Sequence, residues 1–289
     1  MTLAPPMKTK AIAGWFGSNR MLAARVGAEL GKLAWCGVPF VGGAPELPFI
    51  KTRGGLAADL HRHLINLARC VSDQDLLDEM LPLVDRVLFH PDELGLAQAR
   101  CRGREAQNLA LFGNQPAELD DPEWAADYFV CAWMSRGGFA GKNGELNQSL
   151  SVRFTASGGG SAVRYRSAVE SLTAWHDVLK RWEFCVLDCF EFLDRVRDQE
   201  GHGLYVDAPW PDAGDEYRFP FTEAKQRRLA ERLARFNHVR IVVRFGDHPL
   251  IRELYQPPRW NWVTQTSRNQ QKVLILNGTS LSRDGKGVA

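Results

Sequence analysis

Seven short apolar runs constrain this chain more than any other feature, because several of them are apolar on both faces. They fall at 34–41, 55–60, 184–187, 204–206, 239–245, 260–266 and 272–276, each bounded by Gly, Pro or polar residues. Strands with no polar face to show to water belong in a parallel sheet covered on both sides. Helical periodicity at 21–33, 60–71 and 224–236 supplies the cover. The expected fold class is α/β, a mostly parallel sheet with helices on its faces. Antiparallel pairing is expected only at the end, where the polar stretch 267–271 separates the last two runs and suits a hairpin.

A long segment of different character separates the second run from the third. Residues 72–133 read as helices broken by Pro82, Pro91, Pro116 and Pro122, and 135–166 is rich in Gly, Ser and Asn. Within it, 150–155 and 162–166 alternate around Ser157-Gly158-Gly159-Gly160-Ser161, which reads as a hairpin with a flexible tip. The organisation expected is a discontinuous domain, 10–71 and 172–279, with an inserted subdomain at 72–171. A chain of 289 residues with 45% hydrophobic side chains has material for both.

The net charge of +2, from 36 basic and 34 acidic residues, leaves nucleic-acid contact to local clustering. No run approaches the roughly 18 apolar residues of a membrane span, so a soluble cytoplasmic protein is expected. The six cysteines form no Cys-x-x-Cys pair and read as reduced core thiols, with no metal expected. His61, His63 and His248 have no carboxylate or cysteine at ligand spacing and read as surface or capping residues.

Asp207-Ala208-Pro209-Trp210 follows the run 204–206 and should leave the carboxyl end of a parallel strand, where open α/β sheets place their ligands. The four residues suit a flat amine. Asp207 and the Ala208 carbonyl can each accept one amine hydrogen, Pro209 stiffens the backbone, and Trp210 can stack on the ring. Catalysis would then be mainly positioning. The competing reading is an ordinary strand-end turn. Gly42 and Gly43, after the first run, let a ligand approach the backbone, or merely make a tight turn. Asp59 is placed to grip ribose hydroxyls, or is a solvated loop acid. Asp188 can accept from a cofactor's amino group, or cap the helix that follows. Arg153, Arg164 and Arg166 on the hairpin, and Arg100, Arg102 and Arg104 on a helix, can meet phosphate, or form solvated faces.

The order of these motifs resembles the Dam-type family of DNA adenine methyltransferases, from about residue 11 to 278. Gly14-Trp15-Phe16-Gly17-Ser18-Asn19-Arg20 looks like its N-terminal cofactor motif, and 39–44 like its glycine motif. Ala58-Asp59-Leu60 with 64–67 looks like the acidic motif that follows. Residues 135–141 are similar to the segment before the target-recognition hairpin, and 247–255 with 269–276 to the closing strand, helix and hairpin. Asp207 to Trp210 stands where the family has Asp-Pro-Pro-Tyr or a close variant.

The resemblance implies a Rossmann-like S-adenosylmethionine-dependent methyltransferase sheet with an inserted helical and hairpin target-recognition subdomain. It implies transfer to the N6 amino group of an adenine flipped from double-stranded DNA, by a monomer without a metal, in the cytoplasm of a cell or of a phage host. By the same resemblance Asp207, Ala208, Pro209 and Trp210 are catalytic. Trp15, Phe16, Asn19, Pro39, Phe40, Gly42, Asp59, Asp188 and Cys189 hold the cofactor. Arg136, Asn143, Arg153, Arg164 and Arg166 meet DNA. The chain departs from the pattern at Asn19, where a lysine is usual, at Val38 for an acid, at Ala44 for a glycine and at Ala208 for the first proline. Two other readings are a catalytically impaired DNA-binding protein of the same fold and a methyltransferase of single-stranded DNA or RNA. Asp207→Ala is expected to abolish transfer and leave the fold intact.

Overall fold

The computed structural model describes residues 9, 11–17, 21–112, 119–136, 140–152, 154–155, 159–211, 216–267 and 270–282. In chain order the elements begin with α1 (Ala23–Leu30), β1 (Lys32–Val38), β2 (Lys51–Asp59), α2 (Arg62–Ser72), α3 (Gln74–Asp85), α4 (Pro91–Phe112) and α5 (Pro122–Met134). They continue with β3 (Phe154–Thr155), β4 (Gly159–Gly160), α6 (Ser161–Val169), α7 (Leu172–Leu179), β5 (Trp182–Val186), α8 (Cys189–Arg195) and β6 (His202–Val206). The last are α9 (Glu223–Leu233), β7 (Arg240–Gly246), α10 (Pro249–Leu254), β8 (Asn261–Ser267) and β9 (Gln270–Leu276). The result is a mixed α/β protein whose backbone contacts divide into two units. One holds residues 1–20, 42–45 and 59–186, the other 21–41, 46–58 and 187–289.

In the second unit the strands lie in the order β2-β1-β6-β7-β9-β8. β1 pairs in parallel with β2 and β6, and β6 in parallel with β7. β9 runs antiparallel to both β7 and β8, which places the antiparallel pairing of these strands at the sheet's end, as the sequence predicts. Ile241 to Phe245 of β7 are all buried, the signature of a strand covered on both faces. Gly37 of β1 admits a close approach: a Cβ there would lie 2.8 Å from Leu204 and 2.9 Å from Phe192 of α8. The chain steps from β1 outward to β2 on one side and from β6 outward to β7 on the other. The carboxyl ends of β1 and β6 therefore flank a reversal of strand order, where such sheets open a crevice for ligands.

The first unit is mainly helical and organised around α5. Asp121 caps this helix by accepting the Trp124 amide at 2.9 Å, and Pro122 occupies its first turn, where a missing N–H costs nothing. Trp124, Tyr128, Phe129 and Met134 are buried, with α2, α3, α4 and α6 packed around them. One expected break is missing, and two fall where a new helix starts. Pro82 lies inside α3 and does not break it, whereas Pro91 and Pro122 begin helices. Pro116 lies outside the described residues.

The expected hairpin shrinks to two pairs, Phe154↔Gly160 and Thr155↔Gly159, and residues 162–166 are helical within α6. The physical reason is burial at helical spacing. Tyr165, Ala168 and Val169 face the interior, and the Tyr165 hydroxyl donates to the Val84 carbonyl at 2.8 Å. Arg164 and Arg166 consequently ride on a helix, and Arg153 lies outside the described residues.

Candidate functional site

Asp207 follows β6 directly and stands two residues after Tyr205, so the strand's period of two puts both side chains on one face. Arg244 occupies the matching place on β7, one residue past the Val206↔Val243 pair. Its Nη1 lies 2.9 Å from Asp207 Oδ2 and 3.6 Å from Glu46 Oε1. The Tyr205 hydroxyl lies 3.0 Å from Glu46 Oε1 and 3.4 Å from Asp207 Oδ2. Arg244, Tyr205 and Glu46 are buried, and Asp207 is partly open to solvent.

Two acids and one arginine cannot all be ionised cheaply in such a place. Burial and the nearby Asp207 charge push Glu46 up to about 7. Burial also raises Asp207, against the pull of Arg244. Burial lowers Lys272 of β9, reinforced by Arg244.

The rest of Asp207 to Trp210 is braced as well. The Gln226 side chain donates to the Pro209 carbonyl at 2.6 Å, whereas no described residue hydrogen-bonds the Ala208 carbonyl. The Trp210 side chain donates to Asp207, and its ring packs against Gly246, where a Cβ would come within 3.0 Å. The Arg244 guanidinium stands 5.6 Å from the same ring. Beside this segment Phe40, past the end of β1, meets Phe221 edge-on at 5.5 Å, and Phe221 stacks on Phe190 at 6.3 Å. Pro39 is buried at the strand end. Asp188 caps α8, accepting the Phe190 amide at 2.8 Å through Oδ1. Cys189 is buried beside it, its thiol pushed up by burial to about 12.

In the first unit Trp15 is the centre of a cluster. Its side chain meets three glycines so closely that an added Cβ would come within 2.8 Å of the indole at Gly42, 2.6 Å of it at Gly141 and 2.8 Å of the Trp15 Cβ at Gly43. Gly42 has φ +47°, a left-handed conformation that suits glycine, and its amide donates to Asp59 at 3.1 Å. The other Asp59 oxygen accepts the His61 amide at 3.1 Å, and the Leu60 amide adds a third donor. Burial raises Asp59 despite them. The His61 ring meets the Trp15 ring edge-on at 5.2 Å. Phe16 lies next to Ala140, its amide donating to that carbonyl at 2.9 Å, and the Lys142 ammonium sits 4.0 Å from its ring. Asn19 lies outside the described residues.

The two basic clusters differ in availability. Arg100 is held by Asp127 through contacts of 2.6–2.9 Å, Arg102 reaches the Leu146 carbonyl at 2.6 Å, and Arg104 pairs with Asp121 and Glu123. Those three brace α4 against its neighbours. Arg166 is held by the Asp85 carboxylate and carbonyl. Arg136, Arg164 and Asn143 are exposed.

His61 and His63 are buried, which corrects the surface reading, while His61 and His248 do cap α2 and α10. Among the described residues no group of His, Cys, Asp and Glu could hold a metal, and no helix is long and apolar enough to cross a membrane. All six cysteines are free thiols.

Sequence reasoning missed Glu46, Tyr205, Arg244 and Gln226. Arg244 had a visible signal, since a lone cation inside an apolar run must find a buried partner. No protein-family model matches the chain, and comparison with curated proteins finds no match.

Proposed function

We propose that this chain is a Rossmann-like S-adenosylmethionine-dependent methyltransferase that acts on the N6 amino group of adenine in double-stranded DNA. The observation that carries the proposal is the setting of Asp207 to Trp210. A carboxylate fixed by Arg244, a carbonyl with no described donor and an indole follow one another at the carboxyl end of β6, beside the reversal of strand order. Two acceptors a residue apart match the two hydrogens of a flat exocyclic amine.

S-adenosylmethionine would supply an electrophilic methyl carbon, and several residues suit its adenosine. Asp188 uses Oδ1 for the cap and keeps Oδ2 for an adenine amino group. Phe40 offers an aromatic face or edge at the end of β1.

The acceptor base has to leave the duplex, because its amine cannot meet the methyl in line while stacked. Asp207 then accepts one N–H and the Ala208 carbonyl the other, turning the nitrogen lone pair toward the methyl. The incoming amine takes the place of the Trp210 donor at Asp207 and frees the indole to stack on the base. Arg136, Asn143 and Arg164 are the exposed groups offered to DNA.

The test is transfer of a labelled methyl from S-adenosylmethionine to mixed-sequence duplex DNA, single-stranded DNA and RNA, followed by nucleoside analysis. Label on the adenine amino group of the duplex supports the proposal, and label confined to single strands or RNA moves the substrate. A second reading is a DNA-binding protein without turnover. It is favoured by the groups already around Asp207, the Arg244 ion pair, the Tyr205 hydroxyl and the Trp210 side chain. Duplex binding with no label on any acceptor selects it.

A further inference from the structure

We infer that Glu46 accepts, through Tyr205, the proton that the methylated amine gives up at Asp207; the inference rests on the methyl-transfer reading above. Three oxygens stand in sequence for it: Asp207 Oδ2, the Tyr205 hydroxyl at 3.4 Å, and Glu46 Oε1 another 3.0 Å on. The first is partly open to solvent and the last is shut away from it.

Transfer breaks the donor's S–C bond, whose electron pair stays on sulfur, and forms an N–C bond from the amine lone pair. The nitrogen then holds one proton too many. Asp207 Oδ2 takes that proton and passes it to the Tyr205 oxygen, while the Tyr205 O–H proton moves to Glu46 Oε1. Tyr205 ends unchanged, Glu46 is neutral, and Asp207 is again a carboxylate. The arrangement of charge favours this end state, because Arg244 stands 2.9 Å from Asp207 and 3.6 Å from Glu46. After product leaves, the proton returns to water by the same path, since Asp207 is its exposed end.

Glu46 faces Asp207, Arg244 and Tyr205, and Asp207 is also faced by Lys272, Trp210 and Tyr217. Burial and the Asp207 charge place Glu46 at about 7, so an unprotonated acceptor is available at and above neutrality and lost below it.

The experiment is single-turnover methyl transfer across pH for the wild type, Glu46→Gln and Tyr205→Phe, with donor affinity and thermal melting measured on each. The wild-type rate is expected to rise with pH and level off above about 7. Both variants should be slower by about tenfold or more and lose that inflection, with donor affinity within about twofold of wild type. Either variant with the wild-type rate and pH profile overturns the relay while leaving methyl transfer intact. If Glu46→Gln does not fold, Tyr205→Phe, which removes one oxygen, decides. A wild-type protein that moves no methyl to any acceptor overturns the transfer reading and the relay with it.

Discussion

Glu145 Oε1 lies 2.5 Å from His61 Nε2, and both side chains are closed to water. His61 Nδ1 accepts the Leu64 amide at 3.2 Å, so the ring proton sits on Nε2 and is donated to the carboxylate. The second Glu145 oxygen takes the Gly141 amide at 2.7 Å. Burial acts to raise the Glu145 carboxyl, but His61 and Gly141 outweigh it and hold the group at about 2.

A carboxyl lowered on folding stabilises the protein above its unfolded value and gives that stability up as pH falls toward the folded one. Acid should therefore weaken the wild type progressively below about 4.5, by up to about 3 kcal/mol at pH 2. Glu145→Gln should lose stability at neutral pH and show a shallower acid dependence in chemical denaturation. An unchanged acid slope would assign the effect to other groups.

The sequence alone predicts that Asp207→Ala spares the fold, and the buried partner changes that expectation. Arg244 is 2% exposed, and loss of Asp207 removes the carboxylate that stands 2.9 Å from its guanidinium. Removing one partner of a buried pair typically costs about 3–5 kcal/mol. Asp207→Ala should thus lower the melting temperature sharply, whereas Asp207→Asn keeps volume and a hydrogen-bonding oxygen. The asparagine variant should stay folded and, on the proposed methyl-transfer function, slow turnover about a hundredfold or more. Wild-type melting of the alanine variant would mean that Glu46 alone neutralises Arg244.

The strands, the closing hairpin and the strand-end position of Asp207 are legible in the sequence because each depends on residues close along the chain. The meeting of Glu46, Tyr205 and Arg244 is not, since it depends on strand order, and a run such as 239–245 shows only that its cation needs a partner. Residues 162–166 mislead for a different reason. Five alternating residues also fit a helix whose buried face is set by Tyr165 and Ala168, and periodicity cannot separate the two over so short a stretch. Ala44 is one of the departures from the resembled pattern. It stands where that family has glycine and adopts φ +58°, the left-handed conformation that glycine favours.

The arginines can be separated by salt. Arg136 and Arg164 are exposed, whereas Arg166 is held by Asp85. If the insertion meets phosphate, Arg164→Ala and Arg136→Ala should each weaken duplex binding across sequences and reduce the slope of log affinity against log salt by about 1. Arg166→Ala should alter stability by less than about 1 kcal/mol, as exposed pairs do, with little change in that slope. Unchanged slopes for Arg136→Ala and Arg164→Ala would remove this face from the DNA interface.

Glu29, on the buried side of α1, gathers the end of the described chain. Its carboxylate accepts Arg25 Nε at 2.9 Å, the Leu281 amide at 2.9 Å, the Ser280 hydroxyl at 2.8 Å and the Ser282 hydroxyl. Its carbonyl takes Arg240 Nε at 2.9 Å, which ties α1 to β7. Burial raises the acid, yet the donors together lower it, so the charge is stabilising at neutrality and is lost in acid. Glu29→Ala leaves those donors without their acceptor and should cost on the order of 3 kcal/mol. Cleavage near residue 280 by a protease should quicken with it. Ser282→Ala, which removes one donor and leaves the charge, should cost only about 1 kcal/mol. Equal losses from the two substitutions would place the stabilisation in the serine contact and not in the buried anion.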